Sequence, residues 1–272
     1  MSLAEPTLTK GALGARWQID DFAAVAEDQS ALRDLQEVLD ERVVVEIVTD
    51  RPIAPQSIAS LQRFLGEPES RGGGPMRVPG TDFLTEFAAK AKPDDGRPHV
   101  PAFIESLHYD TMANGPAAYG VHYSRLGKSS VPMRFVDMRA VYADLPEATR
   151  AKLRGLRTRH NARQRPPPQP TPWTMQPLII THPRTGAPLL LLPNRRDSRI
   201  EGVGDDEGSA LISALWKDVE ARPALSIDLK PHKMIVWDNI ACVHDNPAFP
   251  RDKDRSTWFF NIVNDREIAA LV

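Results

Sequence analysis

Apolar positions recur at two different periods along this chain, and the switches between them outline its elements. From Gln29 to Glu41, Leu32, Leu35, Val38 and Leu39 fall at helical spacing, which predicts an amphipathic helix. Val43 to Val48 reads as a buried strand, and Pro52 and Pro55 then break the chain. Ile58, Leu61, Phe64 and Leu65 share one face of a second helix, stopped by Gly66. Residues 66–102 are loop-rich. Gly72-Gly73-Gly74-Pro75 lacks the lysine and helix start of a phosphate loop, so this stretch, with His99, reads as surface loop placed to form part of a lid. Tyr119, Val121 and Tyr123 alternate with Gly120, His122 and Ser124, which predicts a strand with His122 facing solvent or a structural hydrogen bond. Val136 to Tyr142 leads into a helix expected over Glu147 to Arg159. Arg150, Arg154 and Arg157 would share its solvated face, and His160 would end it as a cation suited to the dipole.

Proline then dominates. Residues 165–177, RPPPQPTPWTMQP, hold six prolines, which excludes a regular helix or a central strand. A lid or linker is the expectation, with Trp173 and Met175 as candidate lid residues. Leu178 to Ile180 and Pro188 to Leu192 read as strands around the turn Pro183-Arg184-Thr185-Gly186. Arg195, Arg196 and Arg199 follow as a solvated cluster, from which Arg199 is a candidate contact to a substrate carboxylate. Ser209 to Arg222 shows the apolar face Leu211, Ile212, Leu215, Trp216, Val219 of a helix, and Leu225, Ile227 and Leu229 alternate into a strand. Met234 to Trp237 is a short apolar run closed by Asp238 and Asn239. After a connection containing His244, Trp258 to Val263 forms an aromatic and β-branched strand.

Many short strands with few helices outside them suit a mainly β chain with flanking helices, built on a double-stranded β-helix (jelly-roll) core of two packed sheets. A single domain over residues 1–272 is the economical division. Its helix and strand scaffold would occupy about 15–66, its jelly-roll core about 100–265 and its lid or linker 165–177.

Composition narrows the function classes. With a net charge of −2 over 272 residues, the global field favours neither nucleic acid nor a membrane surface as partner. No apolar run approaches the length of a membrane span, and the first residues lack a secretory pattern. The single cysteine, Cys242, rules out an internal disulfide framework and fits a reducing cytoplasm, where it would act as a small buried apolar residue. A small molecule is the expected partner, and a homo-oligomer stays open.

The candidate chemistry lies in His108-Tyr109-Asp110 and His244. On a strand, residues i and i+2 point to one face, so His108 and Asp110 can aim an imidazole and a carboxylate at one point. With His244 they make two histidines and one carboxylate, the facial triad of non-haem Fe(II) oxygenases. Asp238 and Asn239 would hold the strand end beside His244. His108-Tyr109-Asp110, Trp237-Asp238-Asn239, His244 and Arg255 eleven residues on, with THPRTG at 181–186, resemble the TauD/TfdA-like Fe(II)/2-oxoglutarate-dependent dioxygenases over roughly residues 100–265.

That resemblance implies the jelly-roll fold, metal ligands at His108, Asp110 and His244, and Arg255 as partner of the far carboxylate of 2-oxoglutarate, which a bidentate arginine suits. Fe(II), 2-oxoglutarate and O2 would be consumed in oxidative decarboxylation to succinate and CO2, coupled to hydroxylation, desaturation or cyclisation of a substrate. Retention of Asp110 argues against halogenation. Two positions depart from the family. Met133 stands where a threonine contacts 2-oxoglutarate. Phe259 stands where taurine-type members grip a sulfonate with arginine, so an aromatic wall and a larger, less charged substrate are expected. A specialised metabolite or modified amino acid fits. The alternative that Met133 motivates is a relative that binds metal or ligand without turnover. A zinc hydrolase would leave Arg255 without an anion.

Overall fold

Alternate residues of one large sheet feed two separate hydrophobic clusters, and the candidate site lies on one of its faces. The computed structural model describes residues 6–9, 11–69, 77–88, 106–112, 115–127, 132–161, 173–193, 195, 199–245 and 256–271. Gly72 to Pro75, His99, residues 165–172, Arg196 and Arg255 therefore lie outside the described residues.

The strands are β1 (Thr7–Leu8), β2 (Ala15–Gln18), β3 (Val44–Val48), β4 (Thr85–Ala88), β5 (Thr111–Met112), β6 (Gly115–Pro116), β7 (Tyr119–Leu126), β8 (Pro132–Asp137) and β9 (Arg157–Asn161). They continue as β10 (Trp173–Pro177), β11 (Ile179–Thr181), β12 (Pro188–Leu190), β13 (Leu225–Asp228), β14 (Lys233–Asp238), β15 (Cys242–Asp245), β16 (Ser256–Ile262) and β17 (Ala269–Ala270). The helices are α1 (Phe22–Glu27), α2 (Gln29–Arg42), α3 (Pro55–Leu65), α4 (Met138–Asp144), α5 (Glu147–Leu153) and α6 (Asp205–Glu220).

The large sheet runs β1-β2-β3-β14-β7-β16-β4, and all its pairings but β2–β3 are antiparallel. Val45, Ile47, Val121, Tyr123, Met234, Val236, Trp258 and Phe260 pack with the apolar faces of α1, α2 and α3. Their strand neighbours Val44, Ile235, Trp237 and Phe259 point the other way, into a cluster with β8, β15, β11, α4 and α6. A smaller sheet, β13-β8-β15, belongs to that second side. The antiparallel two-sheet arrangement is the expected jelly roll.

Two local expectations fail. The helix expected to reach Arg159 stops at Leu153, because Gly155 takes φ +81 in the left-handed region and turns the chain. Arg157 to Asn161 become β9, so Arg150 and Arg157 share no helix face. His160 is no helix-ending cation. It is buried on β9, and burial pushes its pKa down to about 3, which keeps it neutral. Nor are residues 173–177 without regular structure. They form β10, paired only with β9 in a two-stranded ribbon, where Pro177 takes the last position and no further ladder needs its missing N–H.

Candidate active site

His244 sits on a strand rather than in the expected connection. β15 pairs with β8, placing His244 opposite Phe135. On its other side His244 exchanges both backbone hydrogen bonds with His108, at 2.9 and 3.0 Å. This single bridge brings together two residues far apart in sequence and sets their rings 4.5 Å apart, centroid to centroid. Asp110, two residues on and outside any strand, brings Oδ2 to 3.6 Å from His244 Nε2, beyond hydrogen-bonding range. Among the described residues, His108, Asp110 and His244 form a group whose donor atoms all lie within 4.8 Å of one another.

The ring chemistry suits a metal. His108 Nδ1 lies 2.9 Å from the Ser106 carbonyl, so Nδ1 carries the proton and Nε2 is left with its lone pair. His244 is 1% exposed, and among the described residues neither of its ring nitrogens has a hydrogen-bond partner. Burial first, then the proximity of His108, pushes its pKa well below the ordinary imidazole value, against the pull of Asp110. A neutral imidazole with unused lone-pair capacity, beside another imidazole and a carboxylate, fits a divalent cation with open positions.

Trp237, Asp238 and Asn239 close the site from below. The Trp237 ring lies 4.7 Å from the His244 ring. The Asp238 carboxylate accepts from the amides of Ile240 and Ala241, both at 3.0 Å, and thereby shapes the turn into β15. It also accepts from His182 Nε2 and from Arg184. Burial alone would raise this carboxyl, but His182, Arg184 and the Ala241 amide hold it below its usual range. The Asn239 side chain reaches across to the backbone of Asp110. The strand-end role expected for Asp238 and Asn239 is thus visible as specific bonds.

The remaining candidates are placed as follows. Met133 is buried on β8 opposite Ile227 and offers an apolar side chain among core residues. Phe259 on β16 faces the site side of the large sheet, edge-on to His122 at 4.6 Å. His122 does not face solvent. It is 2% exposed and also meets Trp237 edge-on at 5.3 Å. Its alternation was legible, but this sheet is covered on both faces, so the polar side of the strand is interior as well. Trp173 and Met175 lie on β10. Trp173 is exposed, with the Arg159 guanidinium 4.9 Å from its ring centre, and Met175 is half-buried. Arg199 is exposed and 3.9 Å from Asp205. Neither Arg199 nor Trp173 is joined to the triad by a described contact. Cys242 is buried, donates to the Asp238 carbonyl and stands outside the metal group, as expected of a small core residue. His182 drew no attention in the sequence beyond its motif.

A jelly roll carrying two histidines and one carboxylate between its sheets has the ligand set of the non-haem iron oxygenases. Residues 5–262 match the family model described as "Taurine catabolism dioxygenase TauD, TfdA family", and the chain belongs to that family. It is accordingly a dioxygenase dependent on Fe(II) and 2-oxoglutarate. The α-ketoglutarate-dependent 2,4-dichlorophenoxyacetate dioxygenase of Burkholderia sp. (strain RASC) is 28% identical over 260 residues, covering 84% of each chain. Pentalenolactone F synthase of Streptomyces arenae is 26% identical over 137 residues, 42% of this chain and 46% of that one. The crystal structure of AAD-2 in complex with Mn(II) and N-oxalylglycine aligns with TM-score 0.81 at 18% identity over 100% of both chains, a likeness of fold. Among the described residues, no helix is long and apolar enough to cross a membrane.

Proposed function

We propose that His108, Asp110 and His244 hold Fe(II) and that the enzyme hydroxylates, desaturates or cyclises a mid-sized, largely apolar metabolite or modified amino acid. The observation that carries this is the buried His244 ring, whose two nitrogens find no hydrogen-bond partner among the described residues while a second imidazole and a carboxylate converge on it. Iron so held supplies O2 activation at the expense of 2-oxoglutarate, which leaves as succinate and CO2.

The chain's own residues orient and enclose. The Ser106 carbonyl fixes the His108 tautomer, the backbone bridge sets the spacing of the two imidazoles, and Trp237 with Phe135 walls His244 from water. Arg255 is proposed to pair with the far carboxylate of 2-oxoglutarate, with Met133 contributing packing instead of a hydroxyl. Phe259 and His122 supply an aromatic wall with one polar edge, which favours a ring-bearing or branched substrate over a small sulfonate. The names of two relatives, which speak of 2,4-dichlorophenoxyacetate and pentalenolactone F, support that direction. Neither the site nor these relatives supports binding without turnover. A single domain over 1–272 remains our reading of the division.

The test is anaerobic titration of the Fe(II)-loaded protein with 2-oxoglutarate. A visible charge-transfer band should appear and should weaken in Arg255→Ala. No band, in protein shown to hold iron, would sink the proposal. Turnover of taurine or simple alkylsulfonates would overturn the substrate class.

A further inference from the structure

We infer that Asn239 is a positioning residue for the Asp110 carboxylate, an inference that rests on the proposed metal site. The two histidines are aligned by a backbone bridge, but Asp110 lies beyond it, in no strand. The Ala117 amide holds the Asp110 carbonyl, and the Asp110 N–H has to be fixed as well, because a ligand set tolerates little swing. The Asn239 side chain replaces the missing strand partner. Its Oδ1 accepts from the Asp110 N–H at 3.0 Å, and its Nδ2 donates to the Asp110 carbonyl at 2.9 Å. The second Nδ2 proton goes to the Ala117 carbonyl at 3.0 Å, and the Ala117 amide also donates to the Asp110 carbonyl at 2.9 Å.

One side-chain amide thus presents the acceptor and donor of a peptide group to both polar groups of a single residue. This fixes the backbone on either side of the Asp110 Cα and hence the direction of its Cβ. Asn239 itself cannot drift. It is fully buried, its own N–H donates to the Ala118 carbonyl at 2.9 Å, and the preceding Asp238 ties the turn to the Ile240 and Ala241 amides. No other side chain does the same work. Aspartate would set an oxygen against two carbonyls, glutamine is one methylene too long, and alanine leaves the Asp110 N–H without its acceptor.

The test compares Mn(II) affinity by anaerobic calorimetry in wild type, Asn239→Ala, Asp110→Ala and the double variant, with the metal-free unfolding midpoint of each. Asn239→Ala should weaken Mn(II) by about 10–100-fold, the usual size for a residue that orients a ligand. In the Asp110→Ala background the same change should cost nothing further, because its target is gone. Mn(II) affinity within a factor of two of wild type, with only the midpoint lowered, would reduce Asn239 to a structural residue and overturn the inference. So would an equal loss in both backgrounds. If Asn239→Ala does not fold, hydrogen exchange in the wild type decides. The Asp110 amide should be protected to a degree similar to the His244 amide, and free exchange there would overturn the clamp. Failure of the wild type to bind Mn(II) at all would instead remove the metal-site reading, a distinct result.

Discussion

Two histidine and carboxylate clusters stand out among the described residues, and they are built to opposite rules. In the first, His182 Nε2 bonds to Asp238 at 3.2 Å, His182 Nδ1 accepts from the amides of Arg184 and Thr185, and Asp238 takes further bonds from Arg184 and two turn amides. Arg184 also meets Asp40. In the second, His244 and Asp110 stop at 3.6 Å and both ring nitrogens of His244 have no partner. Residue types and burial are nearly the same. What differs is unused hydrogen-bonding capacity. A buried polar group without a partner costs about 1–3 kcal/mol, and beside a second imidazole and a carboxylate that unused capacity suits a bound cation. The first cluster is a brace, and the second is able to act as a receptor for a metal ion.

The largest effects should come from removing one histidine of each cluster. His244→Leu deletes a ligand but also deletes unsatisfied polar atoms. Mn(II) affinity should fall by more than about 100-fold, since even residues behind the ligands carry about 10–100-fold, while the metal-free unfolding midpoint should hold or rise. His182→Leu removes a bond to the buried Asp238 carboxylate and the acceptor of two amides, and should cost about 1–3 kcal/mol for each buried group left without a partner, with Mn(II) affinity within a factor of about three. Calorimetry and thermal unfolding of the two variants check this directly. If both lose stability alike, the contrast between brace and receptor is wrong.

The sequence carried the receptor and hid much of its support. His108, Asp110 and His244 were legible because ligand type and order are properties of residues. The two apolar strands around His244 were legible too, but not their faces: Phe259 and Trp237 fall on one side and Trp258 and Val236 on the other. The Asn239 clamp spans 129 positions, and nothing local in Asn239 says that its amide will meet the backbone of Asp110. β15 was missed because four residues are too few for a period to show. The overlong helix was a local error: Arg150, Arg154 and Arg157 are spaced as if on one helix face, but Gly155 between them is the stop signal.

A second way to sharpen the comparison goes through Gly120. A Cβ at this position would sit 2.0 Å from Trp237 Cζ2, and the Trp237 ring packs against His244. Gly120→Ala must therefore displace a rigid, fully buried ring that packs against His244. Overpacking of this kind costs about 1–3 kcal/mol. Mn(II) affinity should drop together with the midpoint, whereas His182→Leu moves the midpoint alone. Unchanged affinity in Gly120→Ala would mean that the aromatic wall does not set the position of His244.

The last effect is one of pH, and its sign separates the groups. His244 and His160 are held neutral by burial, His160 down to about 3. Below the ordinary imidazole pKa of about 6.5, the unfolded chain binds protons at these sites and the folded chain does not. Stability must then fall as pH falls, by about 1.4 kcal/mol per pH unit for each histidine fully protonated in the unfolded chain. Asp238 behaves otherwise. Its carboxyl is depressed, so its contribution persists above about 3.8 and is lost only as pH falls through its lower folded value. Denaturant midpoints of the metal-free protein should decline from pH 6.5 to 5, and His160→Gln should remove part of that slope. With metal bound, the slope should steepen, because protons must then displace a ligand bond as well. A slope that His160→Gln abolishes entirely would mean that His244 is protonated in the folded protein, and the contrast with the brace would fall with it.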